Sequence, residues 1–210
     1  MRLETKAELL KIAGHLKKGS IVIFPTDTLY GIGCLISNKN AIRRLYKIRK
    51  NPVSKPTLIL ASDNSQAYKY GYFNKDAKRV VTQFWPGPLT AVVKAKKTVP
   101  NIIRSKENTV AIRVPKQSPL QKIIKMVDEP ILAPSANFYS KKAPITFKEI
   151  DKKLLALVDY KIDINKLSGY QKMSEMQSTI VDLRKGSYKI LRDGAISKIK
   201  LDRLLRGELQ

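Results

Sequence analysis

Short runs rich in Ile, Val and Leu alternate along this chain with segments of helical period. That alternation narrows the fold most: a sheet with helices packed on it, of the α/β (α+β) class. Strands are predicted at Ile21 to Phe24, Thr57 to Ala61, Thr90 to Lys94, Val110 to Val114, Ile131 to Ala133, Thr179 to Leu183 and Lys189 to Arg192. Helices are predicted at Lys6 to Lys17, Asn40 to Lys50, Asp76 to Phe84, Pro119 to Val127 and Ser197 to Leu205. The runs within 90–114 read as a hairpin or meander, so the sheet is expected to be mixed rather than all parallel. No repeat and no Gly/Ser or Pro linker divides the 210 residues, and one domain over 1–210 is expected.

The residue types exclude several chemistries. One histidine (His15) and one cysteine (Cys34) cannot build a Cys/His zinc site, and no intramolecular disulfide can form. His15 sits in a Lys-rich segment and reads as a surface or boundary residue rather than a general base. The N-terminal segment has no apolar stretch of signal-peptide type, and no apolar run is long enough to span a bilayer. A soluble, cytoplasmic protein without a membrane partner is therefore expected. The formal net charge is +24. It suggests an anionic partner, nucleic acid or a phosphate-rich ligand. A composition biased toward Lys accounts for the same count with no binding.

Ile42, Leu45 and Tyr46 give the helix at 40–50 an apolar face, while Lys39, Arg43, Lys47 and Lys50 form a basic ridge that continues into the Pro-bearing loop 51–56. A strand then a polar turn is read at Ile21 to Thr28, followed by Gly31 and Gly33. The turn either presents Thr and Asp groups to a small polar ligand or bonds its own backbone. The Gly pair is a weak nucleotide signal, and Gly14 to Gly19 lacks the P-loop Lys. Phe84-Trp85-Pro86-Gly87-Pro88-Leu89-Thr90 reads as a stiff architectural corner. Arg113 lies inside the apolar run Val110 to Val114, where it must be paired or reach an anion. The polar tips after Ile131, at Ser178-Thr179 and at Arg192-Asp193-Gly194 can converge on one sheet edge.

The ordered set FPTDTLYGIG, basic helix and Pro loop, FWPGPLT, TVAIRVP, APSAN, STIVDL and ILRDGAI resembles the YrdC/TsaC-like family, the L-threonylcarbamoyladenylate synthases, over residues 6–205. The chain resembles the short, single-domain form. The resemblance implies a single twisted mixed β-sheet flanked by helices, with a basic concave face. It implies synthesis of threonylcarbamoyl-AMP from L-threonine, bicarbonate or CO2 and ATP, with Mg2+ accompanying the ATP and pyrophosphate released. A partner threonylcarbamoyl transferase then uses the product on the adenosine beside the tRNA anticodon. Thr28, Arg113, Ala133 and Ser178 are implied to hold L-threonine. Thr109, Ser135, Asn137, Arg192, Lys55 and Asn51 are implied to hold ATP.

Such chemistry rests on positioning and on cationic stabilisation of phosphate charge, so a site without a catalytic His is coherent. Where the family reads Lys-x-Arg-Pro, this chain reads Arg49-Lys50-Asn51-Pro52. Arg49 and Lys50 together are expected to supply the charge that Asn51 does not, and they stand as the catalytic pair. Tyr139-Ser140 replaces a Ser-Gly of the family, and Leu60 stands where many members have a His. The rival reading is a tRNA- or double-stranded-RNA-binding protein on the same fold that has lost catalysis. Carbamoyl transfer within a larger maturation enzyme ranks lower, because no zinc-finger or acylphosphatase-like segment accompanies the motifs.

Overall fold

The computed structural model describes residues 6–51, 57–163, 174, 176–186 and 188–208. The elements run α1 (Lys6–Lys17), β1 (Val22–Pro25), β2 (Tyr30–Leu35), α2 (Lys39–Arg49), β3 (Leu58–Leu60), α3 (Asn64–Tyr68), β4 (Gly71–Tyr72), α4 (Lys75–Phe84) and β5 (Leu89–Ala95). They continue with β6 (Thr109–Arg113), α5 (Ser118–Val127), β7 (Ile131–Leu132), α6 (Lys152–Ala156), β8 (Tyr160–Lys161), β9 (Thr179–Asp182), β10 (Lys189–Arg192) and α7 (Lys198–Arg206). The strands form one mixed sheet in the order β10-β9-β5-β6-β3-β7-β2-β1-β8, with β4 paired to β5. Among the described residues no helix is long and apolar enough to cross a membrane.

Strand periodicity explains how one sheet acquires both a core and a cavity. Successive side chains point to opposite faces. In β1, Ile23 joins one apolar cluster, whereas Val22 and Phe24 join the other. In β3 and β7 the same split puts Ile59 and Leu132 on the first face, Leu60 and Ile131 on the second. The first face is covered along its length, with Ile42 and Leu45 of α2, Val80 and Val81 of α4 and Leu201 of α7 in its cluster. On the second face the cluster draws its helical residues from α1 and α5, such as Ile12, Leu16, Ile123 and Ile124. Those two helices pack over β1, β2, β3 and β7. Beyond them, Thr90 of β5, Ala111 and Arg113 of β6 and Ile180 of β9 face a cavity instead.

The seven predicted strands and five predicted helices all appear within a residue or two of their expected ends, and β5 pairs antiparallel with β6 as a hairpin. β2 is the substantive departure. The stretch read as a glycine-bearing turn is a fully buried strand from Tyr30, paired with β1 and β7. Its glycines are required by packing, and Gly31 also lines the cavity described below. A Cβ on Gly33 would lie 2.0 Å from the Leu132 carbonyl oxygen, and one on Gly31 would lie 2.7 Å from the Phe24 ring. Gly33→Ala is expected to destabilise the protein by at least the upper end of the about 1–3 kcal/mol usual for overpacking, measured by urea unfolding.

Candidate active site

The cavity has a volume of about 300 Å³. It opens on the half of the second sheet face that α1 and α5 leave bare. Thr28, Arg49, Asn51, Arg113, Ala133, Ser135, Ser178 and Arg192 all line it. These residues come from six segments separated by up to 164 positions, and the sheet order brings their strand ends together.

Arg113 ends β6 and is 3% exposed. Its Nε donates to the Gly87 carbonyl at 2.9 Å, Nη1 to Thr28 Oγ1 at 2.7 Å and Nη2 to Asp27 Oδ1 at 2.5 Å. Both readings of this arginine are therefore present in one place: it is paired, and it lines the cavity. Burial pulls its pKa down, with the Asp27 charge opposing that fall. The proline corner has a use beyond architecture. Gly87 N donates to the Val114 carbonyl at 2.9 Å, which ties the corner to the end of β6 and aims the Gly87 carbonyl at Arg113.

Arg192 ends β10 and donates to the Ser178 carbonyl (2.8 Å from Nη2) and to Ser178 Oγ at 3.0 Å. The Thr90 and Ser178 hydroxyls are 2.9 Å apart, so Thr90, buried in β5, completes this chain of contacts. Burial lowers the Arg192 pKa, and the like charge of Arg113 adds to the effect. Thr90 was hidden by its place in the corner motif; strand alternation from Ala91, a core residue, is the signal that would have found it.

Arg49 closes α2 and is 6% exposed. Its Nε donates to the Asn137 carbonyl at 3.1 Å, and Tyr139 N donates to the Arg49 carbonyl at 2.8 Å. Loss of hydration pulls its pKa down to about 10. Among the described residues neither Arg49 nor Arg192 has a carboxylate partner. Among the described residues the lining contains three arginines and no Asp or Glu.

Three expected site residues lie elsewhere. Lys50 takes a left-handed conformation (φ 54°) as the cap of α2, with its N–H on the Lys47 carbonyl, while Asn51 N reaches the Tyr46 carbonyl at 2.9 Å. This cap turns Asn51 into the cavity and sends Lys50 outward, where its Nζ stands 5.7 Å from the Phe138 ring centre. Thr109 shares a face with Ala111 and Arg113 but sits at the far end of β6, hydrogen-bonded to Ser105 at 2.6 Å. Asn137 spends its amide on its own loop. Its Oδ1 accepts from Ser135 Oγ at 2.5 Å, and its Nδ2 donates to the Phe138 and Lys141 carbonyls. Asn137 thus holds Ser135 in the lining without lining the cavity itself. Lys55 lies outside the described residues. Leu60 lines the cavity, as do Tyr139, Thr57 and Gln177, which sequence reasoning did not assign to the site.

No group of three or more His, Cys, Asp or Glu that could hold a metal occurs among the described residues. A divalent cation at this cationic lining would have to bring its own anionic ligands.

A family model named for Sua5, YciO and YrdC, described as "Telomere recombination", matches residues 14–194. A protein of Methanocaldococcus jannaschii is 38% identical over 200 residues, covering 93% of this chain and 92% of its own. The threonylcarbamoyl-AMP synthase of Pyrococcus abyssi is 30% identical over 199 residues, and this chain spans 57% of that protein's length. The crystal structure of P. abyssi Sua5 complexed with L-threonine superposes with a TM-score of 0.87 at 28% identity, over 95% of this chain and 58% of that one. The crystal structure of Escherichia coli YciO gives 0.81 at 25% identity, over 92% of each chain. With a family model matched over residues 14–194 and a relative 38% identical over 93% of the chain, the chain belongs to the Sua5/YciO/YrdC family.

Proposed function

We propose that this protein makes L-threonylcarbamoyl-AMP from L-threonine, bicarbonate or CO2 and ATP, for threonylcarbamoylation of the tRNA adenosine next to the anticodon. One observation carries the reading. Arg49, Arg113 and Arg192 line one cavity, and Asp27 is the only carboxylate bonded to any of them among the described residues. The Arg49 charge, buried without a carboxylate partner among the described residues, is costly in the empty protein, and that cost is recovered when an anion enters.

The reaction needs little else. The neutral amine of threonine adds to CO2 and gives a carbamate. A carbamate oxygen then forms a bond to the α-phosphorus of ATP, and the bond to the β-phosphate oxygen breaks as pyrophosphate leaves. Arg113 suits the threonine carboxylate, because its planar fork accepts a carboxylate through two parallel hydrogen bonds. Arg49 and Arg192 suit the phosphates, where negative charge concentrates as pyrophosphate departs. Ser135 and Asn51 offer neutral polar contacts on the Arg49 side of the cavity. Mg2+ entering with ATP would neutralise phosphate charge, held by phosphate oxygens and water rather than by this lining. The product is an activated acyl group on AMP, which a threonylcarbamoyl transferase acting on tRNA would consume, in the cytoplasm.

The test is pyrophosphate release by the purified protein. It is expected to require L-threonine, bicarbonate and ATP together. Release that ignores threonine, or none at all, sinks the reading. Binding of tRNA or duplex RNA that persists without turnover, and weakens steeply with salt, points instead to the RNA-binding alternative.

A further inference from the structure

We infer that Asp27 is a positioning residue for substrate carboxylate binding: it locks the Arg113 fork so that one N–H on each terminal nitrogen is left for the incoming carboxylate. The inference rests on the functional reading above and assigns a residue that the reading itself does not use.

A guanidinium has five N–H groups, one on Nε and two on each Nη. The Gly87 carbonyl takes the Nε proton, Thr28 Oγ1 takes one from Nη1 and Asp27 Oδ1 takes one from Nη2. Two N–H groups remain, one on each Nη, and they are the donors left for a carboxylate. The three protein acceptors come from two segments, the β1–β2 turn and the proline corner, so the guanidinium plane is fixed as well as its place.

Asp27 is itself held. It sits in the turn between β1 and β2, where Thr26 Oγ1 accepts from Thr28 N and Leu29 N, both at 3.1 Å, and donates to the Leu29 carbonyl at 2.7 Å. Thr26 N also reaches the Leu29 carbonyl. The turn that reads in sequence as either ligand-presenting or self-bonded is thus both: Thr26 closes it, and Asp27 and Thr28 face Arg113. The Asp27 carboxylate also offsets the charge of an arginine that is 3% exposed, without which burial would favour a displaced side chain.

The same ion pair has an opposite reading, in which Asp27 competes with substrate for Arg113. The two readings differ in sign, which makes the test direct. Titration calorimetry of the full chain with L-threonine, and separately with ATP, would be run on wild type, Asp27→Asn and Asp27→Ala. Asn keeps an acceptor for Nη2 and loses only the charge; Ala loses both. The positioning role predicts a threonine Kd raised a few-fold in Asp27→Asn and by about tenfold or more in Asp27→Ala, with the ATP Kd unchanged in both. Threonine binding as tight as or tighter than wild type in Asp27→Ala overturns the proposal. So does a parallel weakening of threonine and ATP, which would mark a merely structural loss. If Asp27→Ala does not fold, the Asn variant decides by the same signs. Wild-type protein that binds ATP but no L-threonine overturns the functional reading, and this proposal with it.

Discussion

Arg113→Met is expected to lower threonine-dependent pyrophosphate release by about a thousandfold or more in kcat/KM, equivalent to about 4 kcal/mol of transition-state stabilisation. It is also expected to destabilise the fold by about 3–5 kcal/mol, because it leaves the largely buried Asp27 carboxylate without its partner. The two losses have different causes and can be separated. Asp27→Asn combined with Arg113→Met removes the orphaned charge, so urea unfolding should return most of the stability. Activity should not return, because no cation remains at that end of the cavity to orient a carboxylate. A double variant as active as wild type would mean that Arg113 is structural. A single variant of wild-type stability would mean that the ion pair is better solvated than its burial implies.

Arg49→Met is expected to act in the opposite direction on stability. Arg49 is buried at the cavity with one carbonyl partner and no carboxylate among the described residues. The fall of its pKa to about 10 corresponds to about 3 kcal/mol of unrecovered hydration. Losing the bond to the Asn137 carbonyl returns about 1 kcal/mol of that. The variant should therefore be more stable than wild type by about 1–2 kcal/mol, while the KM for ATP rises by about ten- to a hundredfold. Unfolding midpoints and steady-state kinetics measure both. A companion change tests how the site replaces the arginine expected from the family pattern Lys-x-Arg-Pro. With Lys50 outside the lining, Arg49 is left to supply the charge without Lys50. Asn51→Arg should then rescue ATP binding in the Arg49→Met background and change it little in wild type. A large gain in wild type would show that Arg49 does not compensate for Asn51.

The residues differ in how far they could be read in advance, and the differences have physical causes. Arg113 was legible because a charge within an apolar strand admits few outcomes. Of the expected pair Arg49 lines the cavity and Lys50 does not: Lys50 and Asn51 are adjacent, and only the left-handed cap of α2 decides which of them turns inward. Thr109 and Arg113 have the same strand parity, so pattern alone could not separate the end of β6 that meets the cavity from the end that does not. Asn137 and Ser135 are both polar tips of one loop, and a single 2.5 Å hydrogen bond assigns one to support and the other to the lining. β2 was missed because its glycines obey a distant constraint, the approach of the Leu132 carbonyl and the Phe24 ring, that no local pattern encodes.

Local periodicity was sufficient to define the strands at β1, β3, β5, β6, β7, β9 and β10, the five longer helices and the mixed class of the sheet, because side-chain alternation is a near-neighbour property. The order of motifs along the chain was sufficient to identify the family. The sheet order, the half-covered second face and the cavity that follows from it are properties of long-range pairing. So is the exchange of hydrogen bonds among Asp27, Thr28, Gly87 and Arg113, drawn from positions up to 86 residues apart. Only the folded chain brings those groups within 3 Å of one another, and only there does a surplus of positive charge become three arginines around one cavity.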